Sequence, residues 1–114
     1  FLISDFLAPS PRRALAVAGR RHDLVAVAVS DPREQEMPDV GFVSLVDAET
    51  GRIVELDTRH RRVRELFRSK AAQRSRQISE ELRKAGVDEL SLRTDEDYPT
   101  VLRRFFRMRE RRFR

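Results

Sequence analysis

The chain contains no cysteine. Disulfides, thiolate zinc sites and cysteine nucleophiles are thereby excluded, and the composition fits a reducing compartment. No apolar run approaches the ~20 residues that span a bilayer, and no basic lead with an apolar core and a small-residue cleavage site is present. This segment is therefore expected to be soluble and cytoplasmic, with any membrane anchor lying upstream. The four glycines form no phosphate-cradling loop. Ser4, Ser30 and Thr94 lack the strained Gly-x-Ser-x-Gly turn that exposes a nucleophile. His22 and His60 are the only histidines, and neither has the second histidine or helical i, i+4 carboxylate that zinc would need. No catalytic constellation emerges, and a binding module that is not an enzyme is the expectation.

At 114 residues the chain is one domain at most, and short for a complete doubly wound sheet. It opens in the apolar run Phe1-Leu2-Ile3 without an initiator methionine, so residues 1–114 are read as a single partial domain, the C-terminal part of a larger protein. The net charge of +5 is unevenly placed. From Tyr98 to Arg114 seven arginines face the single Glu110, a local net of +6 that leaves −1 for the rest. A nucleic-acid reading therefore rests on the tail.

Along the chain, Phe1 to Ser4 reads as a strand. Ser10 is expected to cap a first helix that begins at Pro11 and runs to about Arg21. Leu24 to Val29 is apolar without alternation, as in a central parallel strand covered on both faces. Ser30 to Pro38 reads as a charged loop. The β-rich runs 42–46 and 52–56 flank a turn ending in Gly51, which predicts an inserted hairpin over about residues 40–57. Asp57 or Thr58 is expected to cap a long helix closed by Gly86, its first turns projecting beyond the sheet. Glu89 to Arg93 alternates like an edge strand with one wet face. Asp95 and Asp97 then read as caps of a basic helix over about residues 97–114.

Three strands thus end in a hydroxyl residue followed by an aspartate: Ser4-Asp5, Ser30-Asp31 and Thr94-Asp95. If the strands are parallel, these pairs share one edge of one sheet, the edge at which open α/β folds bind ligands. The phrases Phe1-Leu2-Ile3-Ser4-Asp5-Phe6-Leu7, Arg21-His22-Asp23-Leu24-Val25-Ala26-Val27, Ser30-Asp31-Pro32-Arg33-Glu34, Ala85-Gly86-Val87-Asp88 and Thr94-Asp95-Glu96-Asp97-Tyr98, in that order, resemble the C-terminal half of the bacterial domain-of-unknown-function 58 family. That family is similar to von Willebrand factor type A domains, and its genes commonly sit beside MoxR-type AAA+ ATPases. The resemblance implies a partial doubly wound, von Willebrand type A-like α/β fold: the last three parallel strands of a six-strand sheet, helices on both faces and the hairpin as an insertion.

The resemblance also implies a divalent-metal edge in which Asp5 holds the position of the aspartate after the fourth strand. The remaining ligands would lie upstream, and Phe6 replaces the usual glycine. Asp5 is thus a candidate Mg²⁺ ligand in the full-length protein, with no cofactor expected in this segment. The leading functional expectation is a protein-binding edge formed by Ser4, Asp5, Asp31, Thr94 and Asp95, with a MoxR-type AAA+ ATPase as the partner the resemblance implies. Nucleic-acid binding through Arg103, Arg104, Arg107, Arg109, Arg111 and Arg112 is the alternative. A Mg²⁺-dependent phosphoryl-transfer enzyme is a second one. The bare edge of the first strand predicts a homo-oligomer.

Overall fold

The structure is a computed structural model that describes residues 1–8, 11–47 and 50–113. It is a mixed α/β arrangement built around a small parallel sheet. β1 (Leu2–Ser4), β2 (Val25–Ser30) and β5 (Asp88–Arg93) lie in the order β1-β2-β5, all parallel. Successive side chains of a strand point to opposite faces, so the unbroken apolar run of β2 feeds two cores at once. Ala26 and Ala28 face the cluster of Phe6, Leu15, Leu82 and Val87. Val25 and Val27 face Leu90 and Phe105. The first core is closed by α1 (Arg12–Arg21) and α3 (Arg61–Lys84), the second by α4 (Tyr98–Arg112). The central strand and both covered faces are as its sequence requires. β5 is an edge strand, with Ser91 exposed beside the buried Leu90.

The small residues of α1 allow a close approach. A Cβ on Gly19 would run into the Ala85 carbonyl oxygen and lie 3.1 Å from a methyl of Val87, so glycine is required where α1 crosses the end of α3. That end is built as the sequence predicts: Gly86 has φ +71°, its N–H donates to the Arg83 carbonyl, and the Val87 N–H donates to the Leu82 carbonyl. These paired bonds satisfy carbonyls that a helix terminus otherwise leaves open.

Other helix starts differ from expectation. Pro11 is the N-cap of α1 rather than its first helical residue, and the expected cap at Ser10 lies outside the described residues. Neither Asp57 nor Thr58 caps α3, which begins later, with His60 at the N-cap. Thr58 is instead fully buried: its hydroxyl donates to the Gly41 carbonyl at 2.5 Å and accepts from the Val40 N–H at 3.0 Å. The stretch read as a loop contains a short helix, α2 (Pro32–Gln35).

β3 (Phe42–Val46) and β4 (Ile53–Asp57) form the expected hairpin as a separate two-stranded antiparallel sheet. One of its faces presents Phe42, Val46 and Ile53 to solvent. Among the described residues no helix is long and apolar enough to cross a membrane.

Candidate functional site at the strand ends

Parallel pairing fixes where the three aspartates emerge. Ser4 stands opposite Ala28, and Ser30 stands opposite Arg93, so Asp5, Asp31 and Asp95 all leave the sheet at its C-terminal edge. Each carboxylate meets a local partner. Oδ1 of Asp5 accepts from the Leu7 N–H at 3.1 Å, and Oγ of Ser4 accepts from the Phe6 N–H at 3.1 Å. This double turn places Phe6 at φ +53°, the left-handed region, with its ring buried in the first core.

Asp31 does more. Its Oδ1 accepts from the Arg33 N–H at 2.9 Å while the Glu34 carboxylate accepts from the Asp31 N–H at 3.4 Å. That reciprocal capping box starts α2. Its other oxygen accepts from the Thr94 hydroxyl at 3.2 Å, across 63 residues of chain, and the Thr94 N–H donates to the Ser30 carbonyl at 2.9 Å. The loops after β2 and β5 are therefore tied together. Asp95 is not a cap of α4: it pairs with Arg93 at 3.0 Å. Asp97 does hold the N-cap position of α4, but its carboxylate accepts from the Thr100 hydroxyl at 2.7 Å rather than from a backbone N–H. Asp5 makes no hydrogen bond or ion pair with Asp31, Thr94 or Asp95. Among the described residues no group of three or more His, Asp or Glu side chains is placed to hold a metal ion, so the donors present do not fit Mg²⁺, which demands several hard oxygens in near-octahedral geometry.

A sequence profile described as Protein of unknown function DUF58 matches residues 1–77, from β1 well into α3. The chain belongs to the DUF58 family. It is 40% identical over 111 residues to the uncharacterized protein MAV169 of Mycobacterium avium, covering 96% of this chain and 65% of the relative. It is also 40% identical over 114 residues to the uncharacterized proteins Mb1516 of Mycobacterium bovis and Rv1480 of Mycobacterium tuberculosis, covering 96% of this chain and 35% of each relative. This DUF58 chain thus spans less than two thirds of those proteins. No solved structure matches it.

The arginines of the tail lie beyond the matched region of the DUF58 profile, and they divide into two sets. Arg109 grips both oxygens of Asp23 at 2.5 Å and reaches Asp88 at 3.5 Å, while Arg112 also pairs with Asp88. The hydrogen bond from Arg109, reinforced by the nearby guanidinium charges, holds the Asp23 carboxyl below the usual carboxylate range. The same bond raises the Arg109 pKa. These two arginines clasp α4 to the start of β2 and of β5. Arg103, Arg104, Arg107 and Arg111 are exposed, and among the described residues they make no ion pair. Of the tail phenylalanines, Phe105 is buried, the partly exposed Phe106 ring meets it edge-on at 5.5 Å and Phe1 at 6.2 Å, and Phe113 is exposed. Phe106, Phe113 and Phe1 line an open groove of about 880 Å³ between α4 and the β1 edge. Sequence reasoning missed the clasp, because Asp23 and Asp88 look like ordinary turn residues. It also missed the capping box, although Asp31-Pro32-Arg33-Glu34 carries the acid-x-x-Glu signature.

Proposed function

We propose that this DUF58 chain is a non-catalytic protein-binding module whose partner sits on the strand-end edge. The observation that carries the reading is the bond from Thr94 to Asp31, which fuses two strand-end loops into one surface beside the Ser4–Leu7 turn. Such an edge is preorganised: its backbone is held by local hydrogen bonds, while Asp5 and Asp95 remain exposed to meet basic residues of a partner. Preorganised loops on rigid strands lose little freedom on binding. A MoxR-type AAA+ ATPase is the partner supported by the family resemblance. Any divalent metal at this edge would require donors from outside this chain.

The test is affinity for that ATPase, measured by calorimetry with the intact protein and its Asp5→Ala, Asp95→Ala double variant. Asp31 is left in place because it caps α2. A loss of at least about tenfold is expected, equivalent to about 1.4 kcal/mol. Unchanged affinity would show that the edge is not the binding surface.

A further inference from the structure

α3 has 24 residues, about 36 Å at 1.5 Å per residue. β2 and β5 have six residues each, about 20 Å. Ile78 and Ala85 pack on the sheet core around Leu82, while the N-terminal half of the helix runs on beside α2 as a projecting rod. The near-neutral body conceals a strong separation of charge at this rod. α3 carries nine basic residues against Glu65, Glu80 and Glu81, a net of +6, so the remainder of residues 1–97 carries −7.

The positive charge is concentrated where the helix is least covered. From Leu66 to Ser79 there are Arg68, Lys70, Arg74 and Arg76 and no acid. Two arginines of the first turn are engaged, Arg61 with Glu65 at 2.9 Å and Arg64 with Asp39 at 3.7 Å. Among the described residues, Arg62, Arg68, Lys70, Arg74 and Arg76 make no ion pair. At roughly 100° per residue, Arg62 and Arg76 fall on the side of the helix opposite Ala71 and Ile78, with Arg68 and Lys70 on its two flanks, and all four are exposed. Between them stand Ser69, Ala72, Gln73, Ser75 and Gln77, small or hydrogen-bonding side chains.

Leu66 is the exposed large apolar residue of this helix, which leaves the rod without the apolar anchors on which protein interfaces depend. Arginine, lysine, serine and glutamine are instead the side chains that meet phosphate oxygens. The acidic remainder of residues 1–97 would repel a polyanion, which leaves the rod and the arginine-rich α4 as the two basic surfaces that the experiment must separate.

We propose that the exposed flank of α3 from Arg62 to Arg76 is a phosphate-backbone binding surface for nucleic acid. It is separate from the strand-end edge and from the α4 arginines. The experiment is fluorescence anisotropy of a labelled mixed-sequence DNA duplex of about 20 base pairs with the intact protein across a salt series. Two variants are compared, one with Arg62, Arg68, Lys70 and Arg76 all replaced by Gln, the other with Arg103, Arg104 and Arg107 replaced by Gln. Each neutralised phosphate contributes about 0.9 to the salt slope, so the α3 variant is expected to bind at least about tenfold more weakly with a slope shallower by about 3. Its thermal unfolding should match the parent, because the four positions are solvent-exposed. The proposal fails if the parent does not bind at about 50 mM salt, if only the α4 variant loses binding, or if poly-glutamate competes as tightly as the duplex.

Discussion

At φ +53° Phe6 occupies backbone territory that glycine enters freely, yet its ring is one of the buried members of the first core. The left-handed conformation costs a side-chain-bearing residue roughly 1–2 kcal/mol, whereas removing a buried phenylalanine costs about 3–5 kcal/mol. The packing term wins. Phe6→Gly is therefore expected to destabilise the fold by roughly 2 kcal/mol in urea unfolding, despite relieving the backbone; a neutral or stabilising result would mean that the ring contributes little. The turn around it was visible in the sequence as Ser4-Asp5, residue types that bond their own backbone two positions on. The inward return of the Phe6 side chain was not, because it depends on Leu15 and Leu82, far away in sequence. Thr58 teaches the same lesson: its local chemistry suits a helix cap, and its long-range bonds to the Gly41 carbonyl and the Val40 N–H take that hydroxyl away from α3.

At the level of elements, periodicity was a sound guide wherever one face was buried. The apolar run of β2, the alternation of β5, the glycine closing α3 and the hairpin whose turn ends in Gly51 were all legible in the sequence. Short and terminal features were harder, since α2 is one turn whose proline and charges also suit a loop. The connection between the hairpin and α3 adds a pH dependence. Two hydrogen bonds from the Arg59 side chain, and the Arg59 N–H, hold the Asp57 carboxyl at a pKa of about 2, below its ordinary value. A carboxylate depressed in the folded state adds stability above its unfolded pKa and loses it as pH falls through the folded one. The destabilisation caused by Asp57→Asn, followed by denaturant midpoints, is thus expected to be full at neutral pH, to shrink below about pH 4 and to vanish near pH 2. A pH-independent difference would show that the ion pair is not its source.

For the molecule as a whole, β1 is the exposed flank of the sheet. It pairs with β2 alone, and Phe1 and Ile3 are 76% and 68% exposed. Such an edge templates pairing with another strand. The chain expressed by itself is expected to form dimers or larger species in light scattering, and a clean monomer across micromolar concentrations would remove that expectation. The placing of helices on both faces of the sheet was legible because α1, α3 and α4 each bury a recognisable stripe and β2 is apolar on both faces. The polarity of the molecule was hidden, since a sum of −1 over residues 1–97 does not show that one helix holds +6 of it.

The clasp between Arg109 and Asp23 joins groups 86 positions apart. A contact of such long sequence separation is expected to form after the nucleus has condensed. Its energy then belongs to the descent from the transition state to the native state, where it governs how long the fold persists rather than how fast it is reached. In stopped-flow chevrons Arg109→Gln should steepen nothing and leave the refolding limb in place, while raising the whole unfolding limb. That outcome would make the tail of α4 a latch on the lifetime of the native state.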